Sequence, residues 1–209
     1  MRPYLVYPPK AIRRIYPELL WAGPKKTPKT VYLTFDDGPT EEVTYWVLDI
    51  LKKYQVRATF FLIGKNIEEH PEIYARILKE GHRVGNHTHN HLKGWKHSKE
   101  DYLENIAQTE ALLPQNVEKL FRPPYGRIKK SQIRALLDLN YKIIMWSALS
   151  ADWDSVNSPE QCVENCLNHA ENGRIIVFHD SKKAQKNLMG SLETVLKKLL
   201  EQGYEFGLL

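Results

Sequence analysis

From residue 30 onward, short runs of β-branched and aromatic residues alternate with stretches whose apolar positions recur at helical spacing. This alternation constrains the fold more than any other feature, because strand–helix–strand repeats build a parallel sheet with helices on its faces. The β-rich runs fall at 31–35, 58–63, 82–86, 119–122, 141–146, 174–178 and 204–208. The run 58–63 is continuously apolar, as a strand covered on both faces should be. Between the runs, Val43, Trp46, Val47, Ile50, Leu51 and Tyr54 mark a helix that Thr40 can cap. Further helices are predicted over 71–80, from Ser98 to about 113, and over 129–139, 159–171 and 187–202. Ser158-Pro159 is an N-cap followed by proline at the first helical position, and Gly81 and Gly203 are placed to end helices. Seven strands with right-handed crossovers give an α/β fold, either a small or incomplete barrel or an open doubly wound sheet.

With 209 residues, two cysteines and no low-complexity linker, the chain reads as one domain able to bury its own core. No apolar run approaches the roughly 18–20 residues that span a bilayer. The net charge of +5 would point to acidic partners if it were spread evenly, and it is not. Residues 1–30 carry seven Lys/Arg against one acid, leaving 23 against 24 in the rest. A nucleic-acid role is therefore not expected of the body of the protein. Residues 1–29 form a basic arm rich in proline and aromatics, and residues 30–209 form the domain proper. Tyr4, Leu5, Tyr7, Ile12, Tyr16, Leu19 and Trp21 make the arm too apolar for a free tail, so it is expected to pack along the domain; its cations leave a membrane-surface or polyanion contact as the alternative. Although Arg2 opens it as a signal peptide would open, Pro8, Pro9, Lys10, Arg13 and Arg14 interrupt any apolar stretch, and no signal peptide is visible. Localisation is thus cytoplasmic by default, with an extracytoplasmic substrate left open, and a monomer is favoured. Cys162 and Cys166, four apart on a predicted helix, are expected to be reduced core thiols.

In closed and open parallel sheets alike, active sites form at the carboxyl ends of the strands. Five loops there carry ionisable groups: Asp36-Asp37-Gly38, the 86–91 segment with His87, His89 and His91, Arg122-Pro123-Pro124-Tyr125-Gly126, Asp152-Trp153 and His179-Asp180. Two imidazoles with one carboxylate make a three-ligand set that leaves a position open, the pattern of a catalytic zinc site. A spacing of four lets His87 and His91 face one point on a helical turn, and His89 then points elsewhere as a structural residue. His70, His82, His97 and His169 are assigned to surface or core. Of the adjacent aspartates, one can ligate a cation while the other takes a proton from the attacking water. Pro123 and Pro124 lack N–H groups, so the Tyr125 N–H is the next free donor and can serve as half of an oxyanion hole. Arg122 would orient a carboxylate base and lower its pKa. His179 suits general-acid work, with Asp152 as its tuner and Trp153 as a platform for a sugar face.

These pieces, in this order, resemble the polysaccharide deacetylases, the NodB-homology domain of carbohydrate esterase family four. The resemblance rests on Thr34-Phe35-Asp36-Asp37-Gly38, His87-Thr88-His89-Asn90-His91, Arg122-Pro123-Pro124-Tyr125-Gly126, Asp152-Trp153 and Ile175-Ile176-Val177-Phe178-His179, with the run 58–64 also typical, and it spans roughly residues 30–208. It implies a distorted (β/α) barrel with about seven parallel strands. It also implies one divalent metal, zinc first and cobalt or another ion next, held by Asp37, His87 and His91. Asp36 would be the base, His179 the acid that protonates the leaving amine, and Tyr125 the oxyanion donor, with Arg122 and Asp152 tuning base and acid. The substrate would be an N-acetylated glycan. An O-acetyl esterase acting on acetylated polysaccharide and an inactive carbohydrate-binding protein are the alternatives. One departure stands out: Leu149 occupies a position where many members carry aspartate.

Overall fold

The structure, a computed structural model, describes residues 4–168 and 170–209. The expectations placed on Arg2 and His169 lie outside the described residues. A short helix, α1 (Lys10–Ile15), precedes the first strand, β1 (Thr30–Asp36), all seven residues of which are buried. Then follow α2 (Glu41–Lys53), β2 (Thr59–Leu62), α3 (Gly64–Glu69), α4 (Pro71–Lys79) and β3 (Arg83–Asn86). After these come α5 (Lys99–Glu110), β4 (Lys119–Phe121), α6 (Lys130–Asp138), β5 (Tyr141–Ile143) and β6 (Ala148–Leu149). The chain ends with α7 (Pro159–Leu167), β7 (Ile175–His179), α8 (Gln185–Glu201) and β8 (Glu205–Phe206).

Seven strands run in the spatial order β5-β4-β3-β2-β1-β7-β6, and β8 pairs with β1 off this path. Every pairing among them is parallel. The result is a curled half-barrel, the distorted (β/α) barrel expected from the sequence. β1 sits at its centre, and Val31, Leu33 and Phe35 pack with Phe60, Leu62, Phe178 and the buried faces of α2 and α8. The expected strand at 141–146 is instead two: β5 and β6 are consecutive in sequence yet lie at opposite edges of the sheet. The break falls at residues 144–147, where the chain crosses from one edge to the other. The N-terminal segment runs along that seam. Leu20 N donates to Ile143 O at 2.9 Å, Met145 N to Leu20 O at 2.7 Å and Leu149 N to Val6 O at 3.1 Å. Backbone groups that edge strands leave unpaired are thus satisfied by the arm.

Ser98 and Ser158 cap their helices, accepting from Asp101 N and Gln161 N. Gly81 and Gly203, with φ of 77° and 74°, follow α4 and α8 in the left-handed region that glycine tolerates. Thr40 precedes α2 but does not cap it with its hydroxyl, which donates to Asp180 O at 2.8 Å instead. Helix α3 has no counterpart in the sequence reading, since six residues with one buried apolar side chain, Ile67, carry too little periodicity. Cys162 and Cys166 are buried free thiols one turn apart on α7, and burial pushes Cys162 up to about 12, so neither is a reactive thiolate.

Candidate active site

The carboxyl ends of β1, β3, β4 and β7 open into a cleft of about 830 Å³, lined among others by Asp36, Asp37, His87, His91, Tyr125, Leu149, Trp153 and His179. Asp36 is the last residue of β1, and Asp37 leaves the strand with φ of 81°. His87 follows β3, and the chain reaches His91 through a loop in which Thr88 and His91 are both left-handed, with φ of 64° and 53°. The two rings therefore converge through an irregular loop and not through the expected helical turn. Their centroids lie 5.1 Å apart. His89 points away from them, its Nε2 being 3.6 Å from Glu68, as the reading of a structural residue requires.

Asp37 Oδ1 lies 3.2 Å from His91 Nε2 and 3.6 Å from His87 Nε2. The donor atoms of Asp37, His87 and His91 all fall within 4.8 Å of one another. His87 Nδ1 donates to Arg122 O at 2.7 Å, which leaves Nε2 with its lone pair turned to Asp37. Burial holds the His87 ring down at about 4, so it is neutral at physiological pH. Burial pushes the Asp37 carboxyl up, but His91 beside it and the charge on His179 outweigh that and keep it below the usual carboxylate range. Asp37 Oδ1 is itself buried without a hydrogen-bond partner. An ionised carboxylate whose buried oxygen lacks a partner, converging with a neutral imidazole lone pair, is what a divalent cation satisfies, so these residues fit the metal that the resemblance implies.

Arg122 directly follows β4 and is 1% exposed. Its Nη1 donates to Asp36 Oδ1 at 2.6 Å and to Thr34 Oγ1 at 2.8 Å, while Nε and Nη2 donate to Ile144 O and Met145 O across the seam. Pro123 and Pro124 lead to Tyr125, whose backbone is left-handed (φ of 59°) and whose exposed ring stands 4.6 Å from that of His91. On the other side, His179 Nδ1 donates to Asp152 Oδ1 at 2.8 Å, and Asp152 Oδ2 accepts from the His179 N–H at 2.8 Å. Burial lowers the His179 pKa, but the Asp152 carboxylate overrides it and raises the ring to about 9. Trp153 packs against His179 at 4.5 Å between centroids. Asp36, Asp37, His87, His91, Arg122, Tyr125, Asp152, Trp153 and His179 thus all lie at one end of the barrel. Leu149, the one departure from the pattern that the resemblance led us to expect, is buried in the cleft wall.

One residue given no role in the sequence reading is Asp180. It is completely buried; its Oδ1 accepts from Gly38 N at 3.1 Å, its Oδ2 from the Thr44 hydroxyl at 2.6 Å, and its own N–H donates to Asp36 O. A Cβ on Gly38 would meet Asp180 Oδ2 at 2.0 Å, so glycine there admits the carboxyl that grips the turn after Asp37. A carboxylate placed immediately after His179, at the end of an otherwise apolar strand, was the available signal. The arm also reaches the cleft: Trp146 Nε1 donates to Leu5 O at 3.0 Å, and the ring of Tyr4 meets Trp153 at 5.1 Å between centroids.

The family model described as polysaccharide deacetylase matches residues 23–144. That span holds Asp36, Asp37, His87, His91, Arg122 and Tyr125; Asp152, Trp153 and His179 lie beyond it and join the site through the fold. The chain is 38% identical over 182 residues to a peptidoglycan-N-acetylglucosamine deacetylase of Bacillus cereus, covering 84% of this chain and 65% of that one. It therefore spans about two thirds of that relative's length. Among solved structures, the Bc1960 peptidoglycan N-acetylglucosamine deacetylase, in complex with 4-naphthalen-1-yl-N-oxidanyl-benzamide, superposes with a TM-score of 0.87 at 34% identity over 97% of this chain and 95% of that one. A pseudoenzyme of carbohydrate esterase family four from Bacillus anthracis superposes with a TM-score of 0.77 at 29% identity, covering 87% of this chain and 64% of that one.

Proposed function

The chain belongs to the polysaccharide deacetylase family, and from that premise we propose that it is a metal-dependent hydrolase removing N-acetyl groups from amino sugars of a peptidoglycan- or chitin-like glycan. The observation that carries the reading is the convergence of Asp37, His87 and His91 in one cleft with a buried Asp36–Arg122 pair and an Asp152–His179 pair. A divalent cation held by Asp37, His87 and His91 would polarise the amide carbonyl and acidify water.

The chain's own residues account for the rest. Asp36, fixed by Arg122, accepts the proton of the attacking water. The Tyr125 N–H donates to the carbonyl oxygen as negative charge develops on it. His179 keeps its proton on Nδ1 toward Asp152, and its Nε2–H is transferred to the leaving nitrogen. The pKa of about 9 keeps that acid charged at neutral pH. Trp153 and Tyr125 flank the sugar. The two products are acetate and a free amine.

Acetate release from N-acetylated chitooligosaccharides and peptidoglycan, with zinc or cobalt supplied, tests this reading. Release from acetylated xylan alone would replace it with the ester reading. A pseudoenzyme among the similar structures exemplifies the inactive alternative, and a metal-loaded chain inert on every glycan would establish it. Among the described residues no helix is long and apolar enough to cross a membrane. The peptidoglycan named for its relatives supports action on an extracytoplasmic polymer.

A further inference from the structure

Two large aromatic side chains on the rim of the cleft are left open to solvent, Tyr125 at 58% and Trp95 at 54% exposed. Neither is loose. Trp95 Nε1 donates to Ile128 O at 3.0 Å, and the turn that carries it is tied down where Gly94 N donates to Arg127 O and Gln132 Nε2 to Gly94 O. Each ring also has a cation against it: Lys93 Nζ stands 4.8 Å from the Tyr125 centroid, and the Arg127 guanidinium 4.4 Å from that of Trp95. The order His91 ring, Tyr125 ring, Lys93 ammonium puts a positive charge one aromatic ring away from a proposed metal ligand.

The charge at this rim is one-sided. Among the described residues lining the cleft, the carboxylates are Asp36 and Asp37, both at its floor beside Arg122 and the histidines, whereas Lys93, Arg127 and Lys183 are all cations. Neither Lys93 nor Lys183 forms an ion pair among the described residues. A rigid exposed aromatic ring accepts the apolar face of a sugar, and an unpaired ammonium beside it accepts an anion.

We propose that Lys93, with the rings of Tyr125 and Trp95, forms a subsite for a carboxylate-bearing sugar unit adjacent to the N-acetylated one. This rests on the deacetylase reading of the same cleft and names the charge class of its substrate: acidic glycans are taken in preference to neutral ones of the same shape.

The test compares a disaccharide of N-acetylglucosamine and N-acetylmuramic acid, its lactyl carboxylate free, with the methyl ester of the same disaccharide. Acetate release by the zinc-loaded full chain is measured for the wild type, Lys93→Met and Lys93→Arg, and binding of both compounds to the Asp36→Asn variant, with and without Lys93→Met, is followed by calorimetry. The wild type is expected to favour acid over ester roughly fivefold at low salt, as an exposed charge pair allows, and salt should shrink that ratio. Lys93→Met abolishes the preference and Lys93→Arg restores it. Trp95→Ala weakens binding of acid and ester alike, because stacking is blind to the carboxylate. An unchanged ratio in Lys93→Met overturns the proposal even if both compounds are hydrolysed, leaving the deacetylase reading intact. Conversely, no acetate from either compound but a Lys93-dependent preference in calorimetry sustains the subsite and removes the deacetylase reading. Unaltered binding in Trp95→Ala overturns the platform.

Discussion

Arg122 Nη1 donates to Asp36 Oδ1 at 2.6 Å, and the side chains are 1% and 7% exposed. The same guanidinium packs 4.1 Å from the centroid of the Phe61 ring and bonds Ile144 O and Met145 O. One buried cation therefore ties the proposed base at the centre of the sheet to the seam between its edges. Activity and the integrity of the barrel meet in this pair.

Asp36→Asn keeps the shape and the contact with Arg122 while removing the proton acceptor. Turnover should fall by about 10²–10⁴-fold, the usual worth of a positioned base. Zinc content, measured by elemental analysis, should stay near that of the wild type. Lost zinc would show that the roles given to Asp36 and Asp37 are reversed.

Arg122→Ala strands a buried carboxylate and several carbonyls, so it should destabilise the fold by about 3–5 kcal/mol in denaturant unfolding. Arg122→Lys should recover only part of this, since one ammonium cannot reach Asp36, Thr34 and both seam carbonyls at once. Full recovery by lysine would mean that the fork geometry is irrelevant.

The metal set makes a separate demand. His87→Ala, His91→Ala and Asp37→Ala should each lower zinc affinity by more than the roughly 10–100-fold typical of outer-sphere changes, as read by competition with a chelator. His89→Ala, whose ring faces Glu68, should leave affinity unaltered. A zinc loss in His89→Ala equal to that in His91→Ala would refute the ligand assignment.

The residues to which we assign the proposed chemistry were legible because each stands at or just beyond the end of a short apolar run, where a parallel sheet delivers its strand ends. Asp36, His87, Arg122 and His179 all mark such ends. What stayed hidden depends on contacts far apart in sequence. Little in residues 141–149 announces that the chain leaves one sheet edge for the other, because apolar Ile144, Met145 and Trp146 carry the run into the crossing and only Ser147 interrupts it. The grip of Asp180 on Gly38 joins residues 142 apart. The convergence of His87 and His91 was foreseen for the wrong local reason: two left-handed residues, Thr88 and His91, bend the loop, and the β-branched Thr88 is not a residue type that advertises a positive φ. Lys93 and Trp95 drew no notice, since a lysine and a tryptophan in a polar loop are ordinary until their exposure and neighbours are known.

Two groups, the fully buried Asp180 and the part-buried His179, make the stability of the metal-free protein depend on pH in separable windows. Burial raises Asp180 to about 7 from an ordinary 3.8, so the folded state binds a proton that the unfolded chain has released. The stability this gives is fully present below about pH 4 and is lost as pH rises toward 7. His179, raised to about 9 from 6.5 by Asp152 in spite of burial, behaves likewise at higher pH: its contribution is complete below 6.5 and gone above 9. The Tm measured in chelator should therefore fall in two steps as pH rises, one below neutrality and one above. Asp180→Asn can still accept from Gly38 N and donate to the Thr44 hydroxyl, so it should flatten the lower step and spare the upper. Asp152→Asn should do the reverse, and in the metal-loaded enzyme it should also move the alkaline limb of the kcat profile to lower pH, because the acid then loses its proton sooner. If the lower step persists in Asp180→Asn, the titrating group is not Asp180; if the alkaline limb stays in place in Asp152→Asn, His179 is not the acid.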